Sequence, residues 1–294
     1  MIRKKSLWFA LMASVLLGCS GAQKESSYLK RVWVSSAQNL STPESVVYDA
    51  HSGMIYVSNV NAVTSKNPWQ DNGGFISLLN AKGEVKKLHW VDGLKAPKGL
   101  TIGGEYLYVA DLNGIVKIDP SEAKILKRYQ APKGVERLND IVYDENRSMI
   151  YVSDSGTKAL YALSEKDGVF HELYPKEKGD KAEENGLYLD QSGVVMQGSV
   201  GYLKMLDLKT HKVKILSSEV DIAIDGVTKY LSKGYLVSTW IGEIHHVDTQ
   251  GKSKKLLDSK PEHTADICYV SELDLLLVPD FDKHIIAYKV KKIN

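Results

Sequence analysis

The sequence predicts an all-β fold, a six-bladed β-propeller whose N-terminal strand closes the last blade. Three observations predict it. A strand–turn–strand unit of about forty residues occurs six times, no helical periodicity interrupts it, and a spare strand precedes the first unit. Sixteen Tyr against four Phe, with abundant Val and Ile, agrees with a strand-rich chain. At 43% hydrophobic and 25% charged, the 294 residues have an ordinary globular composition.

The first element is a targeting segment. Arg3, Lys4 and Lys5 precede an apolar run from Leu7 to Leu17, too short for a stable membrane span. The run ends in Leu16-Leu17-Gly18-Cys19, which resembles a bacterial lipobox. Residues 1–18 therefore read as a lipoprotein signal peptide, and 19–27 as lipidated Cys19 with its tether. Residues 28–294 read as the propeller. This places the protein in the cell envelope, exported and lipid-anchored, with Ser20 after the cysteine matching sorting to an outer membrane where there is one. Of 38 basic residues three fall in this leader, leaving 35 against 36 acidic, so a nucleic-acid partner is excluded. Cys268 is the only other cysteine, which leaves no disulfide framework.

The six units begin at Pro43-Glu-Ser-Val-Val-Tyr48, Pro97-Lys-Gly-Leu-Thr101, Leu138-Asn-Asp-Ile-Val-Tyr143, Glu184-Asn-Gly-Leu-Tyr-Leu189, Ile224-Asp-Gly-Val-Thr228 and Thr264-Ala-Asp-Ile-Cys-Tyr269. Second strands follow, such as Met54-Ile-Tyr-Val-Ser58, Met149-Ile-Tyr-Val-Ser153 and Tyr235-Leu-Val-Ser238, most ending in a polar residue. The second residues of the six steps stand 54, 41, 46, 40 and 40 apart. The long first interval locates an insertion between Asn59 and Gly74, expected to overhang the face where these residues sit. The last unit has three strands, and Tyr28 to Ser35 alternates like a fourth. Pairing the two removes an open sheet edge.

The first strand of each blade lines the channel, so Glu44, Lys98, Asn139, Asn185, Asp225 and Ala265 are expected to converge near its axis. Carboxylates and amides without His or Cys suit a hard divalent cation: calcium foremost, then magnesium, manganese or zinc. Lys98 either projects its charge into the channel or packs its stem and reaches solvent. Asp111, Asp154 and Asp280 close second strands in one register and read as turn anchors. His245 and His246 point to opposite faces of a strand and cannot pair as ligands.

Glu44, Arg137-Leu-Asn-Asp140, Asn185-Gly186 and Asp225-Gly226 together resemble the senescence marker protein/gluconolactonase family of six-bladed propellers. The resemblance implies a metal held by Glu44, Asn185 and Asp225, with Arg137 and Asn139 facing substrate. Lys98 departs from the family pattern, and its place in the channel adds it to the expected substrate-binding residues, where it would compete with a metal or bind an anionic substrate. It also implies hydrolysis of a lactone or related ester, with Asp225 as base. The alternative is a non-catalytic envelope propeller resembling the NHL type, binding through rim aromatics such as Trp69, Trp90 and Trp240. The expected partners are a small-molecule substrate and, through Cys19, a membrane. The chain is expected to act as a monomer.

Overall fold

The computed structural model describes residues 26–36, 40–174, 185–190, 193–198, 201–220, 223–259, 262–291 and 293. Residues 1–18, Cys19 and most of the tether lie outside the described residues. Every regular element described is a strand. After β1 (Leu29–Val34), blade 1 comprises β2 (Pro43–Asp49), β3 (Met54–Asn59), β4 (Phe75–Asn80) and β5 (Val85–Val91). Blade 2 comprises β6 (Leu100–Gly103), β7 (Tyr106–Asp111), β8 (Gly114–Asp119) and β9 (Lys124–Gln130). Blade 3 comprises β10 (Leu138–Asp144), β11 (Met149–Asp154), β12 (Ala159–Ser164) and β13 (Phe170–Tyr174). Blade 4 comprises β14 (Leu187–Asp190), β15 (Gly193–Gly198), β16 (Tyr202–Asp207) and β17 (Val213–Ser217). Blade 5 comprises β18 (Ile224–Lys229), β19 (Tyr235–Thr239), β20 (Glu243–Val247) and β21 (Ser253–Asp258). Blade 6 comprises β22 (Cys268–Val270), β23 (Leu275–Pro279) and β24 (Ile285–Val290).

Each blade is a four-stranded antiparallel sheet, the sixth completed by β1 in the order β1-β24-β23-β22. Leu29 lies opposite Val290 and Val34 opposite Ile286, so the N-terminal strand closes the last blade as the spare-strand pattern predicts. The innermost strands touch in sequence around the ring, and β22 returns to β2. The fold is a six-bladed β-propeller.

The two apolar faces of each blade explain where the core lies. A separate buried cluster fills each of the six gaps between neighbouring blades. Between blades 1 and 2, for example, Tyr56, Ile76 and Trp90 pack on Leu107, Val109 and Ile118. A smaller seventh cluster, Val60, Ala62 and Ala96 with Leu112 and Phe281, anchors the base of the 59–74 insertion.

One irregularity positions the site. In blades 1, 3 and 5 the innermost strand gains a residue relative to its neighbour, between Pro43 and Val46, Leu138 and Ile141, and Ile224 and Val227. Such a bulge breaks the ladder and re-aims the side chains on it. A serine from the second strand accepts the N–H that the bulge frees. Ser58 Oγ accepts from Ser45 N at 2.9 Å, Ser153 Oγ from Asp140 N at 3.0 Å, and Ser238 Oγ from Gly226 N at 2.9 Å. All three serines are fully buried. In blades 2, 4 and 6 the paired ladder of the first two strands begins after the step, at Leu100, Leu187 and Cys268, and runs without a register shift from there.

Candidate functional site

The starts of the innermost strands surround a cavity of about 350 Å³. Glu44, Lys98, Asn139, Asn185 and Asp225 line it, as does Arg137, which immediately precedes β10. Five of the six aligned step residues thus share one space. The sixth, Ala265, is fully buried outside the lining, its carbonyl accepting from Ser238 Oγ at 2.7 Å. The insertion does overhang this face: Pro68 and Trp69 form part of the wall. Trp240 and Phe281, from the turns after β19 and β23, complete it. A larger hollow of about 580 Å³ lies between the turns at the far ends of β2 and β6, around His51 and Glu105. It contains none of the converging residues and no buried polar atom without a partner.

The cavity concentrates charge that the fold does not neutralise. Glu44 and Asp225 are 5% and 7% exposed, and among the described residues Glu44 Oε2 and Asp225 Oδ2 have no hydrogen-bond partner. Asn185 Nδ2 donates to Asp225 Oδ1 at 2.5 Å, fixing that carboxylate and turning its other oxygen away from the amide. Burial pushes Glu44 well above the usual carboxylate range; nearby Lys98 opposes this, while Asp225 and Asp266 add to it. Burial likewise pushes Asp225 up to about 6 against the Asn185 hydrogen bond and the positive charge of Lys98. Lys98 is 2% exposed, so its charge stays in the channel and does not reach solvent. Burial lowers its pKa, with Glu44 and Asp225 opposing. Among the described residues its ammonium makes no ion pair or hydrogen bond. It faces the Trp69 ring at 4.3 Å from the centroid instead.

A second tier lies behind the first, made by the next residue of each step: Ser45, Gly99, Asp140, Gly186, Gly226 and Asp266. Asp140 accepts from Ile141 N at 2.7 Å and Leu187 N at 2.5 Å, tying blade 3 to blade 4. Asp266 accepts from Ser45 Oγ at 2.6 Å, tying blade 6 to blade 1, and burial pushes its carboxyl up to about 7. The glycines are required by crowding. A Cβ on Gly186 would lie 2.6 Å from Asp225 O, and one on Gly226 would lie 2.5 Å from Ile267 N. Asp266 lies one residue beyond the aligned step position Ala265, so the step register carried one residue onward locates it.

The second-strand aspartates are turn anchors, as their shared register predicts. Asp111 accepts from the backbone of Lys95, Ala96 and Leu112. Asp154 accepts from Glu136, Arg137, Gly156 and Thr157, which sets the backbone of Arg137 beside the cavity. Asp280 accepts from Asp282, Lys283 and His284. His246 bonds Lys233 O at 2.9 Å, while His245 bridges Glu243 Oε2 at 2.9 Å and Ser253 Oγ at 3.1 Å. The Ser253–His245–Glu243 line imitates a relay, but Glu243 also holds Lys255 and none of the three lines the cavity. Trp90 departs from the rim expected for it. It is 7% exposed and packs on Tyr56 at 4.8 Å, because the outer strand β5 turns it into the gap between blades 1 and 2. Cys268 packs at the edge of the blade 6–1 core, and burial pushes its thiol up to about 12, which makes it a poor nucleophile.

No family model matches the chain, and no curated protein matches it in sequence. Its fold is shared with many solved structures. One is a chain in the crystal structure of a nidogen/laminin complex, with a TM-score of 0.62 and 15% identity over 76% of this chain and 83% of that one. At that identity the likeness concerns the fold alone, and a propeller by itself specifies no activity.

Proposed function

We propose that the channel cavity is a divalent-metal-dependent hydrolytic site for a lactone or related ester, of the senescence marker protein/gluconolactonase kind. The observation that carries this reading is the pair of buried oxygens, Glu44 Oε2 and Asp225 Oδ2, without a partner among the described residues, in a cavity also lined by Asn185. Buried carboxylate oxygens are ordinarily satisfied, so two in one cavity call for a cation. The donors offered are oxygens from blades 1, 4 and 5, which suits calcium, magnesium or manganese. The lining has no His or Cys for zinc, and no cluster of three or more His, Cys, Asp or Glu occurs among the described residues. The site would therefore rest on two carboxylates plus an amide. The chemistry a cation supplies there is polarisation of the substrate carbonyl and stabilisation of the charge developing on its oxygen.

The chain's own residues would do the rest. Asp225, held by Asn185 Nδ2 and facing the cation with its other oxygen, would orient the attacking water and take its proton as general base. Arg137 and Asn139 would orient substrate oxygens, the latter steadied by a 3.5 Å contact from its Nδ2 to Ser155 Oγ. Trp69 would screen the reacting centre from solvent. Export and anchoring through Cys19 belong to the same proposal, since a lipidated propeller would present this site at the envelope.

A second reading, a binding propeller without catalysis, draws on the Lys98 ammonium, which shares the cavity and would oppose a metal there. A thermal-shift titration with calcium, magnesium and manganese separates the two. On the hydrolase reading at least one ion raises the melting temperature of the wild type with its occupancy. Asp225→Asn should then lose most of that rise together with esterase activity. If no ion shifts the wild type and none co-purifies, the binding propeller takes its place.

A further inference from the structure

Lys98 sets this cavity apart from a site built only to hold a cation. Its backbone is pinned on both sides, Lys98 N donating to Ala110 O at 2.8 Å and Gly99 N to Asn139 O at 3.0 Å. Its side chain is buried, and among the described residues its ammonium makes no ion pair or hydrogen bond; it faces Trp69 at 4.3 Å and Phe281 at 5.9 Å from the ring centroids. The Arg137 guanidinium stands 5.6 Å from the same Trp69 ring. Trp240 extends the wall, meeting Phe281 edge-on with centroids 4.5 Å apart. Two cations and three aromatic rings therefore form one continuous surface.

A buried ammonium against ring faces is only partly compensated, because a ring offers an electrostatic face but no hydrogen-bond acceptor. The acceptor must come from the ligand. Charge counting points the same way. If Glu44 and Asp225 are engaged by a divalent cation, Lys98 and Arg137 remain as formal positive charges without acidic partners. A neutral polyol would leave them so, whereas a carboxylate would satisfy Lys98 with a charge-assisted hydrogen bond. The flat walls of Trp69, Trp240 and Phe281 suit a planar apolar body.

We propose that the cavity selects ligands carrying a carboxylate on a flat apolar body, Lys98 reading the carboxylate and the Trp69–Trp240–Phe281 wall reading the body. The inference rests on the hydrolase reading in taking this cavity as the site of action and its carboxylates as engaged by a cation.

Benzoate, benzamide and benzamidine test it, because they share a ring and differ in charge. Their affinities for the mature protein are measured by ligand-observed NMR, with calcium and again with a chelator. Benzoate is expected to bind roughly ten- to a hundred-fold more tightly than benzamide. Benzamidine should bind most weakly. Lys98→Met, which keeps the apolar stem, should erase the benzoate preference while leaving benzamide affinity within about two-fold. Equal binding of benzoate and benzamide, a preference for benzamidine, or no binding of any probe would overturn the proposal. Chelation should weaken the preference, because it frees Glu44 and Asp225 to face Lys98. A benzoate preference that survives in Lys98→Met would show that the cation and not Lys98 reads the charge, and would also overturn the proposal. If Lys98→Met does not fold, Lys98→Gln takes its place with the same expectation. Failure of the hydrolase reading looks different: no turnover of any ester, with the benzoate ranking in calcium and its dependence on Lys98 intact.

Discussion

Blades 1, 3 and 5 and blades 2, 4 and 6 share one repeat but deliver their step residues differently. The odd blades carry a bulge between the first two strands, held by Ser58, Ser153 or Ser238, and present Glu44, Asn139 and Asp225 from it. In the even blades the step lies just ahead of strands that begin at Leu100, Leu187 and Cys268. There, Ala110 and Val278 occupy the serine position of blades 2 and 6. The even steps supply Lys98, Asn185 and Ala265. Both candidate metal-binding carboxylates come from serine-held bulges, whereas the cation and the amide that steadies Asp225 come from steps just ahead of β6 and β14. The serine that holds the bulge is thus common to the blades that contribute both carboxylates.

The largest expected effect falls on the one blade whose closure depends on the other end of the chain. Deleting residues 28–35 removes β1 and exposes the edge of β24, so the protein should aggregate or lose its cooperative melt. Deleting residues 20–25 should leave melting unchanged. Equal melting of both truncations would show that blade 6 does not need its borrowed strand.

Next in size is a change that should not distinguish odd from even blades. Gly186→Ala and Gly226→Ala each drive a methyl into neighbouring backbone at 2.6 and 2.5 Å. Overpacking of this kind costs about 1–3 kcal/mol. Calorimetric melting should show comparable losses for the two. A loss at Gly226 alone would mean that the bulge, and not axial crowding, makes glycine necessary.

A smaller pair of substitutions isolates the bulge. Ser238→Ala strands the Gly226 N–H and the Ala265 carbonyl, both in buried surroundings, at a cost of about 1–3 kcal/mol. It should also loosen Asp225 and blunt any stabilisation by divalent cations. Ala110→Ser, the reciprocal change in blade 2, meets no freed N–H, because Gly99 N already donates to Asn139 O at 3.0 Å, and should gain nothing in stability or cation response. If Ser238→Ala leaves both melting and cation response intact, serine is incidental to the site.

The fold was legible because six second strands of similar apolar pattern recur, and the step register then placed Glu44, Lys98, Asn139, Asn185 and Asp225 together. The Asn-Gly and Asp-Gly steps read as a functional signature, yet their glycines answer to channel crowding, so half of each dipeptide reports packing. What was not legible depends on contacts far apart in sequence. A serine ending a strand gives no sign of the bulge it satisfies. Trp240 and Phe281 reach the cavity from turns in different blades, and β5 turns Trp90 inward although nothing around it in sequence marks that direction. Composition cannot show these directions; strand order and register do.

The smallest expected effect concerns a contact between an even and an odd blade. Glu165, just after β12 of blade 3, accepts from Tyr143 OH in its own blade at 2.8 Å. It also accepts from Tyr108 OH and Lys117 Nζ of blade 2, at 2.6 and 2.5 Å. Burial pushes its carboxyl upward, but the hydrogen bonds from Lys117, Tyr108 and Tyr143 together outweigh this and hold it below its usual value of 4.5. A carboxylate whose folded pKa is depressed adds stability that is complete above the unfolded value and drains away as pH falls through the folded one. The staple should therefore hold at neutral pH and weaken below about pH 4.5. Because the pair is partly open to solvent, its contribution should be no more than about 1 kcal/mol. Glu165→Gln should melt slightly below the wild type at pH 7, and the two should converge as the pH falls toward 3. Melting curves that stay parallel from pH 7 to pH 3 would show that this interblade carboxylate does not couple ionisation to folding.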